Sequence, residues 1–487
     1  MEDKPLVVTE EYERLGGKKL SLIDVLAQSV GFMGPVFVTA FVIPLIIGFN
    51  ASGRGAGTSV GLAVLLAAVG VFALAWIVSR YAKKIHAAGS LYDYVSQGLG
   101  TTIGAASGWL YYSGTIVLTT ALGVLLGGYV HDNLLPAFEI GPFFPIWVWD
   151  AIFTLGLFAV LYFGVQISTR VQLTLALVSM AVVLVFLITV IIDLGGDNDF
   201  AKAFDPSPEG GFSGILFGVL YGVLAFVGFE TAANLAEETA DPKRSIPRAV
   251  LGAVFIVTVF YLIGSYVEVA GFGFDLSVIL SPEVAGAPLF ALGAGPPFGS
   301  ELWLKVLLVV VFLDMLAVYV GAGVASTRGV FALARDRRLP GILAKVSTYG
   351  TPVGAIVLLI AIQALWIALA EGNDTIFALP DVPHYFSIFA WGAAFGAFAL
   401  VVVYGVLSIS GLVGLRGDEG YGGVVVASLV GIAISLGAIF GSFYKVTSPL
   451  VLAAWYPLIW GVIGLVYMLL VKGRASASDT LDELRSM

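Results

Sequence analysis

Ala225 to Arg248 read "AFVGFETAANLAEETADPKRSIPR". The first half belongs in lipid and the second half does not. A helix breaker, Gly228, and a carboxylate, Glu230, nevertheless sit together close to the middle of the apolar part. Both are costly in a bilayer, where backbone groups must be bonded within the protein and a charge at depth is expensive. A crossing that keeps both points to a polar site inside the membrane.

The rest of the chain fits a membrane setting. Of 487 residues, 59% are hydrophobic and only 12% are charged, against about a quarter charged in soluble domains. Apolar runs recur along the whole length, so the expectation is one polytopic domain over 21–472 between short polar tails, 1–20 and 473–487. A helix needs about 20 apolar residues to cross a bilayer. Twelve stretches qualify, approximately 24–48, 58–80, 100–130, 144–165, 170–194, 213–236, 249–271, 303–334, 352–371, 384–410, 421–443 and 449–471, numbered here as spans one to twelve. Span eight reads either as two pieces or as one helix that projects beyond the membrane. The segment 272–302 reads as a loop with a short interfacial helix.

If the N-terminus is cytoplasmic, all but four of the 24 Lys and Arg (Arg54, Lys202, Lys305 and Lys445) fall on the inside. This asymmetry predicts an even number of spans with both termini cytoplasmic. Cysteine is absent and the three histidines are scattered, which excludes disulfides, thiolate metal sites and cysteine nucleophiles. A net charge of −9 is no nucleic-acid signature. The N-terminus does not read as a signal peptide.

Span one carries its own breakers, in "LAQSVGFMGPVFVTAFVIPLIIG" (26–48). Gly31, Gly34 and Pro35 lie together, and Pro35 removes a donor and crowds the preceding turn. Pro44 lies further out and reads as a kink. In span six, Gly218, Gly222 and Gly228 precede Glu230. Glycine in membrane helices also serves close packing, but these two spans are five apart. Interrupted helices at matching positions in two halves mark a transporter's binding site, where free N–H groups meet an anionic group and free C=O groups meet a cation.

The stretch 225–250 resembles the span-six signature of the amino acid–polyamine–organocation transporter superfamily. That signature has an aromatic-Gly-aromatic-acid core, an acidic pair, then Asp-Pro-basic-basic and Ile-Pro-basic. "ASTRGVFALARDRRLP" (325–340) resembles the end of span eight in the same family. The resemblance implies the leucine-transporter fold: all-α, five plus five helices in inverted repeats (about 24–194 and 213–410), then two extra helices (421–471). It implies a permease that moves amino acids or related amines across the plasma membrane by alternating access, driven by protons, sodium or a counter-substrate. Carried over, the binding loops are Gly31, Phe32, Met33, Gly34, Pro35, Val36 and Phe37 in span one, and Phe226 to Glu230 in span six, with Gly228 between the wall aromatics Phe226 and Phe229. Tyr111 and Tyr112 on span three are candidate lining residues, with packing as the alternative. The family has a Gly-Ser-Gly-Ile-Phe type loop in span one, and Pro35 falls where a glycine is expected. Either the substrate lacks an α-carboxylate, or Gly34 and Val36 capture it.

Coupling leaves several readings open. Ser326 and Thr327 match the hydroxyls that hold sodium on span eight in some relatives, together with the carbonyl region of Gly31. Ser179 stands where proton-coupled relatives carry a span-five lysine. Ser326 and Thr327 can instead bond their own helix at i−4. Glu230 is the rival proton carrier, or an anchor that accepts backbone N–H bonds or pairs with Arg328. Asp314 in span eight reads as a vestibule group or a polar contact between helices. Glu237 and Glu238 are placed to pair with "RDRR" (335–338) as a latch, or to be solvated loop residues. No cofactor is expected beyond a possible Na+. The partners expected are a small-molecule substrate and the lipid bilayer, with no nucleic acid; the oligomeric state is left open. A membrane enzyme is disfavoured because no nucleotide-binding, zinc-protease or serine-hydrolase motif is present. A sensor or passive channel on the same scaffold is the alternative to a transporter.

Overall fold

The computed structural model describes residues 19–49, 54–206, 211–379 and 383–471, with the side chains of 165–170 left out. The predicted tails lie outside these residues, apart from Lys19 and Leu20. Among the described residues the fold is helical, with one isolated bridge between Leu20 and Thr239.

Among the described residues, eleven helices are long and apolar enough to cross a membrane. They coincide with eleven of the twelve predicted spans. The sixth differs: it is a short helix, Gly211–Ala225, followed by turns and a 3-10 stretch, Thr231–Glu238. Span eight is one helix, Glu301–Arg335, of 35 residues, or about 52 Å at 1.5 Å per residue, so it projects beyond the hydrocarbon layer. The 272–302 segment holds two short helices rather than one, Leu276–Ile279 and Pro288–Ala294. The second starts where Pro288 suits a first helical turn.

Spans two and seven pack on each other, span eight packs on span five, and span three packs on span ten. Exchanging the two sets of five helices reproduces this pattern. Leu20 bonds to Glu238 and Ala240, while Arg338 reaches the Val471 carbonyl. The two ends of the described chain therefore share one face of the bundle. This is the end rich in Lys and Arg, called here the basic end.

Small residues let the helices close up. A Cβ at Gly329 of span eight would run into the Tyr112 ring of span three. That ring is pinned, because its hydroxyl donates to Gly89 O at 2.7 Å and accepts from Asn234 Nδ2 at 3.2 Å. Gly329→Ala is expected to destabilise by about 1–3 kcal/mol through overpacking, read as a lower melting temperature in detergent. An unchanged melt would mean that the ring yields.

Candidate functional site

The break in span one follows from local grammar. Leu22–Met33 starts with a capping box between Ser21 and Asp24. It ends at Gly34, whose left-handed backbone (φ 59°) suits glycine. Pro35 then opens the next helix, Pro35–Phe41. A second, smaller interruption at Val42 separates that helix from Ile43–Ile47, with Pro44 in its first turn.

The four N-terminal N–H positions of Pro35–Phe41 are all accounted for. Pro35 has none, and Val38 donates to Gly34 O at 2.8 Å. Val36 and Phe37 donate to Asp314 Oδ2 of span eight at 2.9 and 2.8 Å. Asp314 is thus the polar contact between helices, made at the break itself.

In span six the helix tightens past Ala225. Phe226, Val227, Phe229 and Thr231 each donate three residues back. Gly228 has φ 108°, and a Cβ there would lie 2.8 Å from the Phe32 ring. The two breaks are tied together. Ser29 Oγ donates to Phe229 O at 2.7 Å and accepts from Ala232 N–H at 3.1 Å. The Tyr261 hydroxyl of span seven lies 2.8 Å from Ala225 O and 3.3 Å from Met33 O.

Glu230 is fully buried beside these ties. Its carboxylate accepts from the Tyr111 hydroxyl of span three and, at 3.0 Å, from the Tyr404 hydroxyl of span ten. Tyr404 also packs on the Phe229 ring, with centroids 5.5 Å apart. Arg328 pairs with Glu238 instead, at 2.9 Å, with both side chains buried. Arg335 of "RDRR" pairs with Glu237 at 2.7 Å, whereas Glu238 meets Arg328 rather than "RDRR", and the two pairs together form a closed latch. Glu237 also accepts the Ala88 N–H at 3.0 Å, and Tyr92 donates to Asp336 at 2.8 Å. Burial, and then the neighbouring Asp336, push the nearby Asp93 carboxyl well above the usual carboxylate range.

A cavity of about 270 Å³ lies on the other side of the breaks, toward the end opposite the latch. Phe32, Met33 and Phe37 line it, joined by Val227 of span six, Val318 of span eight, and Phe386 and Phe389 of span ten. Among the described residues its wall is almost wholly apolar and includes no Lys or Arg. Gly31, Gly34, Pro35, Val36, Tyr111, Phe226, Gly228, Phe229 and Glu230 are not among the residues that line it. Gly34 and Gly228 shape the breaks, while Phe226 packs edge-on to Tyr261 at 5.1 Å.

Ser326, Thr327 and Ser179 each donate to a carbonyl four residues back in their own helix, at 2.7, 2.8 and 2.8 Å. The side chain that reaches from span five to the span-one break is Gln172. Its amide donates to Gln28 Oε1 at 3.1 Å, and Gln28 donates to Gly321 O at 3.0 Å. Gln172, Tyr404 and Tyr261 were missed in the sequence. A buried tyrosine or glutamine carries no pattern of its own, and only the packing of distant spans reveals its partner.

The profile of the amino acid permease family matches residues 37–473, which takes in span six and the end of span eight. The chain belongs to the amino acid permease family. It is 24% identical over 365 residues to a branched-chain amino acid permease of Bacillus subtilis, covering 68% of this chain and 74% of that one. It is 24% identical over 319 residues to a methylthioribose transporter of the same organism, covering 61% and 64%. An uncharacterised transporter of Mycobacterium bovis is 28% identical over 413 residues, covering 83% and 81%. Among solved structures, a manganese transporter of Eremococcus coleocola superposes with a TM-score of 0.56 over 94% of this chain and 99% of that one, at 13% identity. That likeness concerns the fold. This permease is a multi-pass membrane transporter, and its two interrupted spans meet at a buried acid.

Proposed function

We infer that this permease moves amino acids or related amines across the plasma membrane by alternating access, and that protons drive it through Glu230. The carrying observation is the position of Glu230: a buried acid at the break of span six, held by one hydroxyl from span three and one from span ten. An acid there can take and release a proton as the two halves move. Ser326, Thr327 and Ser179 donate within their own helices and keep their oxygen lone pairs, so sodium as the coupling ion is decided by the gradient experiment. The charge asymmetry supports a cytoplasmic basic end. The latch then closes the cytoplasmic side while the cavity faces outward. Relatives at similar distance are named for a branched-chain amino acid and for methylthioribose, so family membership alone leaves the substrate open.

Proteoliposomes test the reading. With a panel of amino acids and amines, an inward proton gradient is expected to drive accumulation, and an inward sodium gradient is not. Accumulation that follows sodium and ignores pH would overturn proton coupling. Ligand stabilisation without any uptake would favour a sensor instead.

A further inference from the structure

Asp93 lies in the short helix Leu91–Leu99, between spans two and three at the basic end. It is fully buried, and its oxygens accept no hydrogen bond of ordinary geometry among the described residues. The charged and titratable groups that face it are Tyr92 and Tyr94 beside it in the chain, Tyr112 of span three, Glu237 of the span-six tail, and Arg335 and Asp336 at the end of span eight. Arg335, the cation of this group, is drawn to Glu237 at 2.7 Å and to Asp336 at 3.7 Å. Like charge therefore outweighs opposite charge around Asp93. A buried carboxyl in such a place holds a proton rather than a charge.

Tyr112 faces both Asp93 and Glu230. Its ring meets that of Tyr111 edge-on, with centroids 5.0 Å apart, and the Tyr111 hydroxyl donates to Glu230. The Tyr112 hydroxyl donates to Gly89 O and accepts from Asn234 Nδ2. Gly89 touches the second acid, since an added Cβ there would lie 2.4 Å from Asp93 Oδ2. The carbonyl oxygen of the Asn234 side chain is buried and unpartnered among the described residues. Polar groups thus continue from the breaks to the foot of the latch.

We propose that Asp93 is the exit acid for the transported proton: it holds a proton while the latch is shut, releases it to the cytoplasm when the latch opens, and is refilled from Glu230. The inference rests on the proton reading above and adds the residue through which the proton leaves. In the refilling step the Glu230 carboxyl loses one proton and the Asp93 carboxylate gains it. A hydroxyl such as that of Tyr112 takes a proton on its oxygen from one side and gives up its own hydrogen on the other, so no charge stays between the acids. The exit step follows from the ion pairs. Parting Arg335 from Glu237 opens Asp93 to water, and hydration favours the carboxylate.

Asp93→Asn is tested in proteoliposomes with the compound of the panel above that the wild type accumulates most. One assay is uptake driven by a proton gradient. The other is counterflow, in which labelled compound outside exchanges for unlabelled compound inside without a gradient and without net proton release. Driven uptake is expected to slow about a hundredfold, the low end of what a positioned proton carrier contributes, while most of the counterflow remains. A packing defect would lower both together. Tyr112→Phe should give the same split, and it keeps the test open if the asparagine variant does not fold. A melt against pH checks the proton itself. An acid held neutral in the folded state costs stability as pH rises through its folded-state value, so the wild type should lose more melting temperature toward alkaline pH than Asp93→Asn. Equal losses in the two assays, undiminished driven uptake, or identical alkaline melts would overturn the role of Asp93 and leave Glu230 as the carrier. A wild type whose uptake ignores the proton gradient would overturn the proton reading and this inference with it.

Discussion

Arg328→Met is expected to destabilise the permease by about 3–5 kcal/mol, the usual loss when one partner of a buried ion pair is removed. The guanidinium and Glu238 are only 2% and 4% exposed. Methionine preserves much of the volume but leaves a buried carboxylate without its cation. Most of the loss is thus the cost of the orphaned charge. Arg328→Met combined with Glu238→Leu should therefore recover much of the stability, because replacing both partners by apolar groups is often close to neutral. The measurement is a melt of Arg328→Met, Glu238→Leu and the double variant against wild type. A double variant no better than Arg328→Met alone would show that the loss comes from packing. The chain has no cysteine, so Ala88→Cys gives a single reporter at the buried foot of the latch. Arg328→Met should speed its reaction with an impermeant thiol reagent. Equal labelling rates would mean that this pair does not hold the basic end shut.

Glu230→Gln is expected to reduce gradient-driven accumulation to the level of protein-free liposomes while leaving the melt close to wild type. The amide is nearly isosteric. Its oxygen can still accept from one of Tyr111 and Tyr404, and its NH2 can donate to the other hydroxyl, which can act as an acceptor. What it lacks is a proton to exchange. Tyr404→Phe removes one of the two hydroxyls and should leave partial, pH-shifted transport. Full accumulation by Glu230→Gln, with the wild-type pH profile, would remove this acid from the mechanism.

The crossings were legible because lipid imposes a length and a composition that recur along the chain. The break in span one was legible for a different reason. Gly34 followed by Pro35 is a stop and a start in adjacent positions, and a helix cannot read through them unchanged. Span six announced itself through Gly228 and Glu230, but a count based on long apolar helices passes it over, since its regular part ends at Ala225. The partners of the polar groups were harder to read. Asp314 stood out as an acid in lipid, yet its bonds to Val36 and Phe37 join residues nearly 280 positions apart. No periodicity encodes that distance. The choice of Arg328 between Glu230 and Glu238 was likewise set by about two to three turns of 3-10 geometry that the residues alone left open. The latch was readable because opposite charges at two loop ends of the same face have few other places to go.

Span eight carries Asp314 and Arg328 on one uninterrupted rod, 14 residues or about 21 Å apart. The upper group grips the start of the second piece of span one, and the lower group grips the exit of span six. If the permease works by the alternating access proposed above, the rod is shared by two doors, and tilting it enough to release one grip strains the other. Spin labels on Val36 and Glu237 should therefore change their distances to span eight together rather than in turn.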